Sequence, residues 1–360
     1  MKNLINKIKK NRHTVGVVGL GYVGLPLCLR MIKKKIKVFG VDNDKRKIKN
    51  LKKGISYISD IKNKKLDYFK NNSLRISSSY NILKNLDVII VCLPTPLKNN
   101  KPDLSYLRRS FLEINKILKK GHIIILESTV YPGATYQLSK LFLRKYKIGK
   151  DIFLCYSPER ENPGDNSFSY NTTPKVISGL TKNCKLLAEL IYKSFIKKLI
   201  LVNTVEVAEM SKLLENTYRS INISLVNEIK IICEKLKIDV YDVINASATK
   251  NFGFQKFTPG PGVGGHCIPI DPFYLSWLAN QHGYDAKFIK IAGELNKIIP
   301  KWIVKKMISF FKKNKIKLKN VLIIGVSYKP NIGDDRESPT FDIMQNLKKN
   351  NIKFNYHDPY

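Results

Sequence analysis

Acidic residues are scarce in this 360-residue sequence: 28 Asp and Glu stand against 64 Lys and Arg, for a formal net charge of +36. Such a charge raises the question of nucleic acid, because clustered cations neutralise phosphates and release counterions. Here the lysines run through nearly every polar stretch, together with many Ile and Asn, and do not gather into one tract with interleaved aromatics. The charge therefore reads as a compositional bias, and no nucleic-acid partner is expected. Paired cysteines are missing too. Cys28, Cys92, Cys155, Cys184, Cys233 and Cys267 form no CxxC and keep no regular spacing, which argues against a disulfide framework and fits a reducing cytosol. No segment offers about eighteen uninterrupted apolar residues, so none reads as a membrane span. The basic opening (1–10) ahead of an apolar run (15–29) has the outline of a secretion signal, but Gly16, Gly19, Gly21 and Gly24 interrupt it. No small-residue cleavage site follows before the basic stretch 30–37, so a soluble, cytoplasmic protein is expected. Internal repeats and low-complexity linkers are also lacking.

What is present is a core-forming composition, 43% hydrophobic, in a chain long enough for two or three domains. Short β-branched runs at 15–18, 38–41, 88–91, 123–126, 152–155, 176–178 and 199–202 alternate with helical patterns, which predicts a parallel α/β sheet. Over 205–236 apolar residues recur at helical spacing with neither Pro nor Gly, so one long helix is expected. A helical middle follows, interrupted by the Gly- and Pro-rich segment 258–272. It resumes over 286–313, where Pro300 should bend or break the helix. The α/β pattern then returns as a strand at 321–325, a helix near 340–349 and a strand at 353–356. The fold class expected is α/β: a Rossmann-like doubly wound domain over 1–204, a central long-helix domain over 205–314, and the start of a second Rossmann-like domain over 315–360. One βαβ unit leaves strand edges uncovered, so this third domain reads as cut short.

Gly19-Leu20-Gly21-Tyr22-Val23-Gly24 is a G-x-G-x-x-G that follows a strand and opens a helix, and Asp42 ends the next strand eighteen residues later. The first glycine permits the tight turn, the second lets backbone approach a pyrophosphate, and the third lets helix pack on strand. An acid at Asp42 would accept hydrogen bonds from ribose hydroxyls and repel a 2′-phosphate, which favours NAD over NADP. A tight turn with no ligand is the alternative. Leu93-Pro94-Thr95-Pro96 and Glu127-Ser128-Thr129-Val130 follow two further strands and should emerge at the same carboxyl edge, although either alone is an ordinary loop.

The segment Pro259-Gly260-Pro261-Gly262-Val263-Gly264-Gly265-His266-Cys267-Ile268-Pro269-Ile270-Asp271-Pro272 holds four glycines and four prolines in fourteen residues. It describes a fixed irregular loop. A thiol there is either an inert structural cysteine or a nucleophile activated by nearby charge or N–H groups. His266 reads as a structural or solvent-facing imidazole, and one Cys with one His does not complete a tetrahedral zinc site. Lys212 and Asn216, four apart, share one face of the long helix, which by itself is equally a solvated polar face.

With this segment the sequence closely resembles the UDP-glucose/GDP-mannose dehydrogenase family, and within it the UDP-N-acetylglucosamine 6-dehydrogenase branch. The likeness runs from GLGYVGLPL to YKPNIGDDRESPT. It rests chiefly on SPEREN-PG at 157–164, EMSKLLENTYRSINISLVNE at 209–228 and GPGVGGHCIPIDPFYLSW at 260–277. The resemblance implies NAD-dependent, four-electron oxidation of a UDP-sugar C6 alcohol to the uronic acid. It implies Cys267 as nucleophile, Lys212 and Asn216 as oxyanion stabilisers, Asp271 as an aid to the water or the site's orientation, and Thr129 and Glu159 beside the nicotinamide and at thioester hydrolysis. Gly19, Gly21, Tyr22, Val23, Gly24, Asp42, Pro94, Thr95 and Thr129 would then hold NAD. Glu159, Arg160, Lys212, Asn216, Gly264, Lys329 and Arg336 would meet the UDP-sugar. Without the resemblance, Glu159 with Arg160 reads as a surface ion pair, and Lys329 with Arg336 as an exposed basic loop. The long helix would join subunits into a homodimer or higher oligomer. Two departures stand out. Asp60 replaces the family's usual glutamate, and the chain stops at His357-Asp358-Pro359-Tyr360 where the family continues. An inactive NAD-binding remnant is the alternative reading.

Overall fold

The computed structural model describes residues 1–58, 61–66, 74–160 and 173–359. Asp60, and residues 161–164 at the end of the SPEREN-PG motif, lie outside the described residues. The chain divides into two compact units, Met1–Lys212 and Leu213–Tyr360.

The first unit is built on an eight-stranded sheet: β1 (Thr14–Val18), β2 (Lys37–Val41), β3 (Leu74–Ser77), β4 (Val88–Val91), β7 (Ile123–Leu126), β8 (Phe153–Tyr156), β9 (Lys175–Gly179) and β10 (Leu199–Leu201). A small separate hairpin, β5 (Leu97–Lys98) with β6 (Lys101–Pro102), follows β4. The order across the sheet is β10-β9-β8-β7-β4-β1-β2-β3. From β3 to β8 every pairing is parallel, in the sequence 3-2-1-4-5-6 of a doubly wound dinucleotide fold. β4, β7 and β8 are buried at all four positions, as central parallel strands covered on both faces are.

Two features depart from expectation. β9 runs antiparallel to β8, with Cys155 opposite Gly179 and Tyr156 opposite Ser178, and β10 pairs parallel to β9. The expected all-parallel sheet is therefore corrected at this end. A strand buried on both faces shows the same hydrophobic run whichever way it points, so periodicity does not report its direction. β3 was not foreseen: it is an outer strand whose short sequence, Leu-Arg-Ile-Ser, leaves Arg75 exposed, in keeping with the polar character of strand edges.

The order reverses on either side of β1, so the loops that leave β1 and β4 flank the crevice where such sheets take ligands. The core beneath that edge includes Val15, Val17, Val88, Ile90, Ile123 and Ile125.

The long helix spans Val205–Leu236, 32 residues, as its periodicity predicts. In the second unit it is followed by the helices Val240–Ser247, Asp271–Gln281, Lys287–Lys313 and Pro339–Lys349, and by two parallel strands, β11 (Asn320–Ile324) and β12 (Lys353–His357). Lys287–Lys313 is one helix of 27 residues with Pro300 inside it, so of the bend or break expected there the break does not occur. Pro300 is buried, close enough to Gly262 that a Cβ there would lie 3.7 Å from its ring, and this packing offsets the lost helical hydrogen bond. No described helix is long and apolar enough to cross a membrane.

Candidate active site

The turn after β1 explains its glycines individually. Gly19 has φ +91°, and a Cβ on it would sit 2.4 Å from the Cys92 carbonyl oxygen at the end of β4. A Cβ on Gly24, the first residue of the helix Gly24–Lys33, would lie 1.9 Å from the Gly19 carbonyl oxygen. Gly21 is different: nothing lies within 4 Å of the position its Cβ would take. Turn and packing thus demand glycine at 19 and 24, while at 21 the space is open to a ligand approaching the backbone. That pattern fits a pyrophosphate at this turn.

Asp42, 6% exposed, has a task the sequence did not disclose. Its carboxylate accepts hydrogen bonds from the backbone N–H of Leu20 and of Asp44, each at 2.9 Å, so it ties the glycine turn to the end of β2. Lys47 approaches the same carboxylate at 3.6 Å. The Tyr57 hydroxyl donates to the Leu20 carbonyl, and burial, with Asp42 adding to it, pushes this phenol's pKa up.

The loops after β4 and β7 are bound together. Leu93 N–H donates to Ser128 Oγ at 2.9 Å, and the buried Thr95 hydroxyl donates to the Thr129 carbonyl at 2.7 Å. Pro94 is exposed beside them and Thr129 partly so. Below this junction lies a buried cluster that sequence reasoning missed. Lys175, 2% exposed, pairs with Glu127 at 2.7 Å, and Glu127 also accepts from the Tyr192 hydroxyl. A lysine opening an apolar strand was the available signal.

Lys212 is buried near the start of the long helix, its ammonium donating to the Glu159 carbonyl at 2.7 Å and the Glu159 carboxylate at 3.3 Å. Glu159 thus takes a partner 53 positions away in sequence, and Arg160 donates to the Pro174 carbonyl at 2.7 Å. One turn earlier on the same helix, the fully buried Glu209 accepts from Gly133 N–H (2.6 Å), Thr135 N–H (2.9 Å) and the Thr135 hydroxyl (2.6 Å). It thereby caps the helix Ala134–Phe142, and burial pushes its pKa up to about 7.

In the second unit Asn216 and Asp271 are both buried, and the amide of Asn216 donates to the carboxylate of Asp271. Asp271 is the first residue of the helix Asp271–Gln281, and its N–H donates to the Cys267 carbonyl at 2.8 Å. Cys267 is partly exposed, whereas Cys28, Cys155, Cys184 and Cys233 are buried. The glycines before it yield to Tyr328: a Cβ on Gly264 would lie 2.5 Å from Tyr328 Cβ, and one on Gly265 would lie 2.6 Å from its ring. Arg336 makes a bidentate pair with Asp334 at 2.8 and 2.6 Å, and its carbonyl accepts from Gly265 N–H at 3.0 Å. Burial raises the Asp334 carboxyl, but the guanidinium outweighs it and the pKa falls below the usual range. Burial, then Arg336, lowers the pKa of His266 and favours a neutral imidazole. Lys329 lies partly exposed on the loop between β11 and the helix Pro339–Lys349.

Comparison with known proteins matches this architecture along almost its whole length. Models of the UDP-glucose/GDP-mannose dehydrogenase family fit its NAD binding domain at residues 13–196, its central domain at 206–298 and its UDP binding domain at 322–360. The chain belongs to the UDP-glucose/GDP-mannose dehydrogenase family. It is thus an NAD-dependent oxidoreductase of the nucleotide-sugar dehydrogenase type, with the Rossmann-like, central helical and UDP-binding parts of that family. Protein CapL of Staphylococcus aureus is 37% identical over 351 residues, covering 96% of this chain and 81% of CapL. UDP-N-acetyl-D-glucosamine 6-dehydrogenase of Pseudomonas aeruginosa is 37% identical over 355 residues, covering 96% and 82%. Among solved structures, a UDP-D-ManNAc dehydrogenase from Pyrococcus horikoshii superposes with a TM-score of 0.89 at 31% identity, covering 96% of this chain and 84% of that one. The match to all three domains of this dehydrogenase family weighs against the reading of an NAD-binding remnant.

Proposed function

We propose that this dehydrogenase oxidises the C6 alcohol of a UDP-sugar to a carboxylate through a thioester on Cys267, with UDP-N-acetylglucosamine as its preferred substrate. The observation that carries this reading is the setting of Cys267. It is a partly exposed thiol whose carbonyl is bonded into the start of a helix by Asp271, and Asp271 in turn holds the buried amide of Asn216. A relative named for UDP-N-acetylglucosamine supports the substrate, and relatives named for UDP-N-acetylmannosamine make that sugar the runner-up.

In this reading Gly19, Gly21, Tyr22, Val23, Gly24, Asp42, Pro94, Thr95 and Thr129 hold NAD, which when bound supplies the hydride acceptor for both oxidations. The Cys267 thiolate attacks the C6 aldehyde and forms the C–S bond of a thiohemiacetal. Its oxygen carries developing negative charge and needs a cation and an amide donor, roles assigned to Lys212 and Asn216 on consecutive turns of one helix. Oxidation leaves the thioester, and water cleaves its C–S bond to release the carboxylate and the thiol. Glu159, Asp271 and Thr129 are assigned to orient that water and take its proton. Arg160, Gly264, Lys329 and Arg336 are assigned to the nucleotide sugar. The division into parts at 1–204, 205–314 and 315–360 belongs to the same proposal, as does a cytoplasmic location.

The enzyme is further proposed to form a homodimer or higher oligomer through the long helix. Leu214, Tyr218, Leu225, Ile232 and Leu236 are exposed there at spacings of four and seven, one apolar stripe along one face.

The test is NADH release from the purified chain across UDP-N-acetylglucosamine, UDP-N-acetylmannosamine and UDP-glucose. Two NADH per sugar and the highest kcat/KM with the first are expected. A higher value for another sugar overturns the substrate choice, and NAD binding without turnover of any of them overturns the activity.

A further inference from the structure

The start of the loop that leaves β11 is tied to β12, to the residue after it and to the following helix. Gly325, with φ +86°, donates its N–H to the His357 carbonyl at 2.8 Å. Next, Val326 N–H and Ser327 N–H both point at one oxygen of Asp358, at 2.6 and 3.0 Å, and the Ser327 hydroxyl lies 3.4 Å from it. The Ser338 hydroxyl, itself the N-cap of the helix Pro339–Lys349, donates to the Val326 carbonyl at 2.6 Å. Two consecutive amides converging on a carboxylate form a charge-assisted contact that sets the backbone angles of the residues that follow.

Those residues are Tyr328 and Lys329. The Tyr328 side chain fills the space that side chains at 264 and 265 would need, its Cβ at 264 and its ring at 265, so Gly264 and Gly265 lie against it. Gly265, at φ +83°, leads straight to His266 and Cys267. A continuous line of contacts thus runs from Asp358 through the 326–328 backbone and the Tyr328 ring to the loop that bears the thiol.

We propose that Asp358 is a positioning residue that acts on two elements at once. It sets the loop that presents Lys329 and, through Tyr328, the loop that presents Cys267. The inference rests on the reading of Cys267 as nucleophile and Lys329 as a nucleotide-sugar contact. Its physical content, a coupling between Asp358 and the thiol, is separable from that reading.

Two measurements on the 360-residue chain test it: the iodoacetamide labelling rate of Cys267, followed by mass spectrometry of its peptide, and KM against kcat for the UDP-sugar. Asp358→Ala should raise the Cys267 labelling rate several-fold. It should also raise KM about tenfold, the equivalent of one lost hydrogen-bonded contact, while NAD affinity stays unchanged. Asp358→Asn retains a carbonyl oxygen that both amides can reach, and it should bring both readings back to within about twofold of the parent chain. Tyr328→Leu should reproduce the labelling change, and adding Asp358→Ala to it should alter labelling little further, because the two residues lie on one line of contacts. Unchanged labelling in Asp358→Ala overturns the proposal. So does an Asn variant that behaves like the Ala variant, or full additivity with Tyr328→Leu. Labelling requires no turnover, so a chain inert towards every UDP-sugar would refute the functional reading and still decide this one.

Discussion

The turns after β1 and β11 begin with the same arrangement and then diverge. Gly19 and Gly325 have φ of +91° and +86°, and each donates its N–H at 2.8 Å to the last carbonyl of the neighbouring strand, Val41 or His357. In each, the aspartate after that strand, Asp42 or Asp358, accepts the next N–H of the turn. Beyond this point the first turn enters its helix at Gly24, whereas the second travels on to Pro339 and carries Lys329, Asp334 and Arg336 on the way. A short turn offers backbone N–H groups at a helix start, which suit the phosphates of a dinucleotide without any side-chain charge. A long one brings fixed cations, and Arg336, oriented by its fork on Asp334, is the kind of donor that recognises phosphate by geometry. One device, a glycine and an aspartate at the ends of paired parallel strands, thus leads into a bare backbone turn in one place and, in the other, into a loop whose cations the proposed function assigns to the nucleotide sugar.

The sharpest separation of the two regions comes from the thiol. Cys267→Ala should lower formation of the acid product by at least about a thousandfold, since a covalent intermediate is lost, and leave the NAD dissociation constant unchanged. Acid product at the parental rate removes Cys267 from the mechanism. Next comes the first turn. Gly24→Ala places a methyl 1.9 Å from a backbone oxygen that has nowhere to go, and NAD affinity should fall about a hundredfold, with UDP affinity kept. Calorimetric titration of both ligands decides it, and equal losses would show that the two regions do not work separately.

A smaller change is expected from the cation of the long loop. Arg336→Ala leaves Asp334 buried without its guanidinium, and KM for the UDP-sugar should rise about tenfold while NAD affinity holds. Asp42 should yield less, and in a way that divides its two tasks. Asp42→Asn keeps an acceptor for Leu20 N–H but removes the repulsive charge, so the preference for NAD over NADP should narrow several-fold with little loss of NAD binding, whereas Asp42→Ala should weaken both cofactors. An unchanged preference in the Asn variant would mean that the charge does not face the ribose.

The smallest effect concerns Glu209. Burial raises its folded pKa from 4.5 to about 7. The native state therefore binds more protons than the unfolded chain between those values, and this group's contribution, present in full below pH 4.5, is lost as pH rises through about 7. Melting curves of the parent chain should carry that downward component, and Glu209→Gln should flatten it. A slope identical in both chains would show that Glu209 does not titrate in this range.

Seven of the eight sheet strands were legible because each is a short apolar run between turn signals, and the long helix because its period persists over 32 residues without Pro or Gly. β3 escaped because an edge strand needs little apolar sequence. At Pro300 local preference offers a bend or a break, and with the proline buried beside the 262 region the helix does not break. At the site, spacing put Lys212 and Asn216 on one face but could not say which partner each would take. Glu159 and Asp271 lie 53 and 55 positions away in sequence, and only folding brings them within hydrogen-bond reach. The same holds for the buried Glu127–Lys175–Tyr192 cluster.

By itself the sequence determined the local conformations and the chemistry on offer: a glycine turn at 19–24 that only glycine can make, an acid after the second strand, and a thiol in a loop stiffened by proline. These are consequences of backbone sterics and side-chain type, which act over a few residues and need no partner. The tertiary structure alone decided strand direction at β9, the second task of Asp42, the capture of Lys212 by Glu159, and the seating of Tyr328 on Gly264 and Gly265. Each of these depends on groups far apart in the chain meeting at a specific distance and angle, and no pattern in the order of residues encodes that meeting until the core has closed around it.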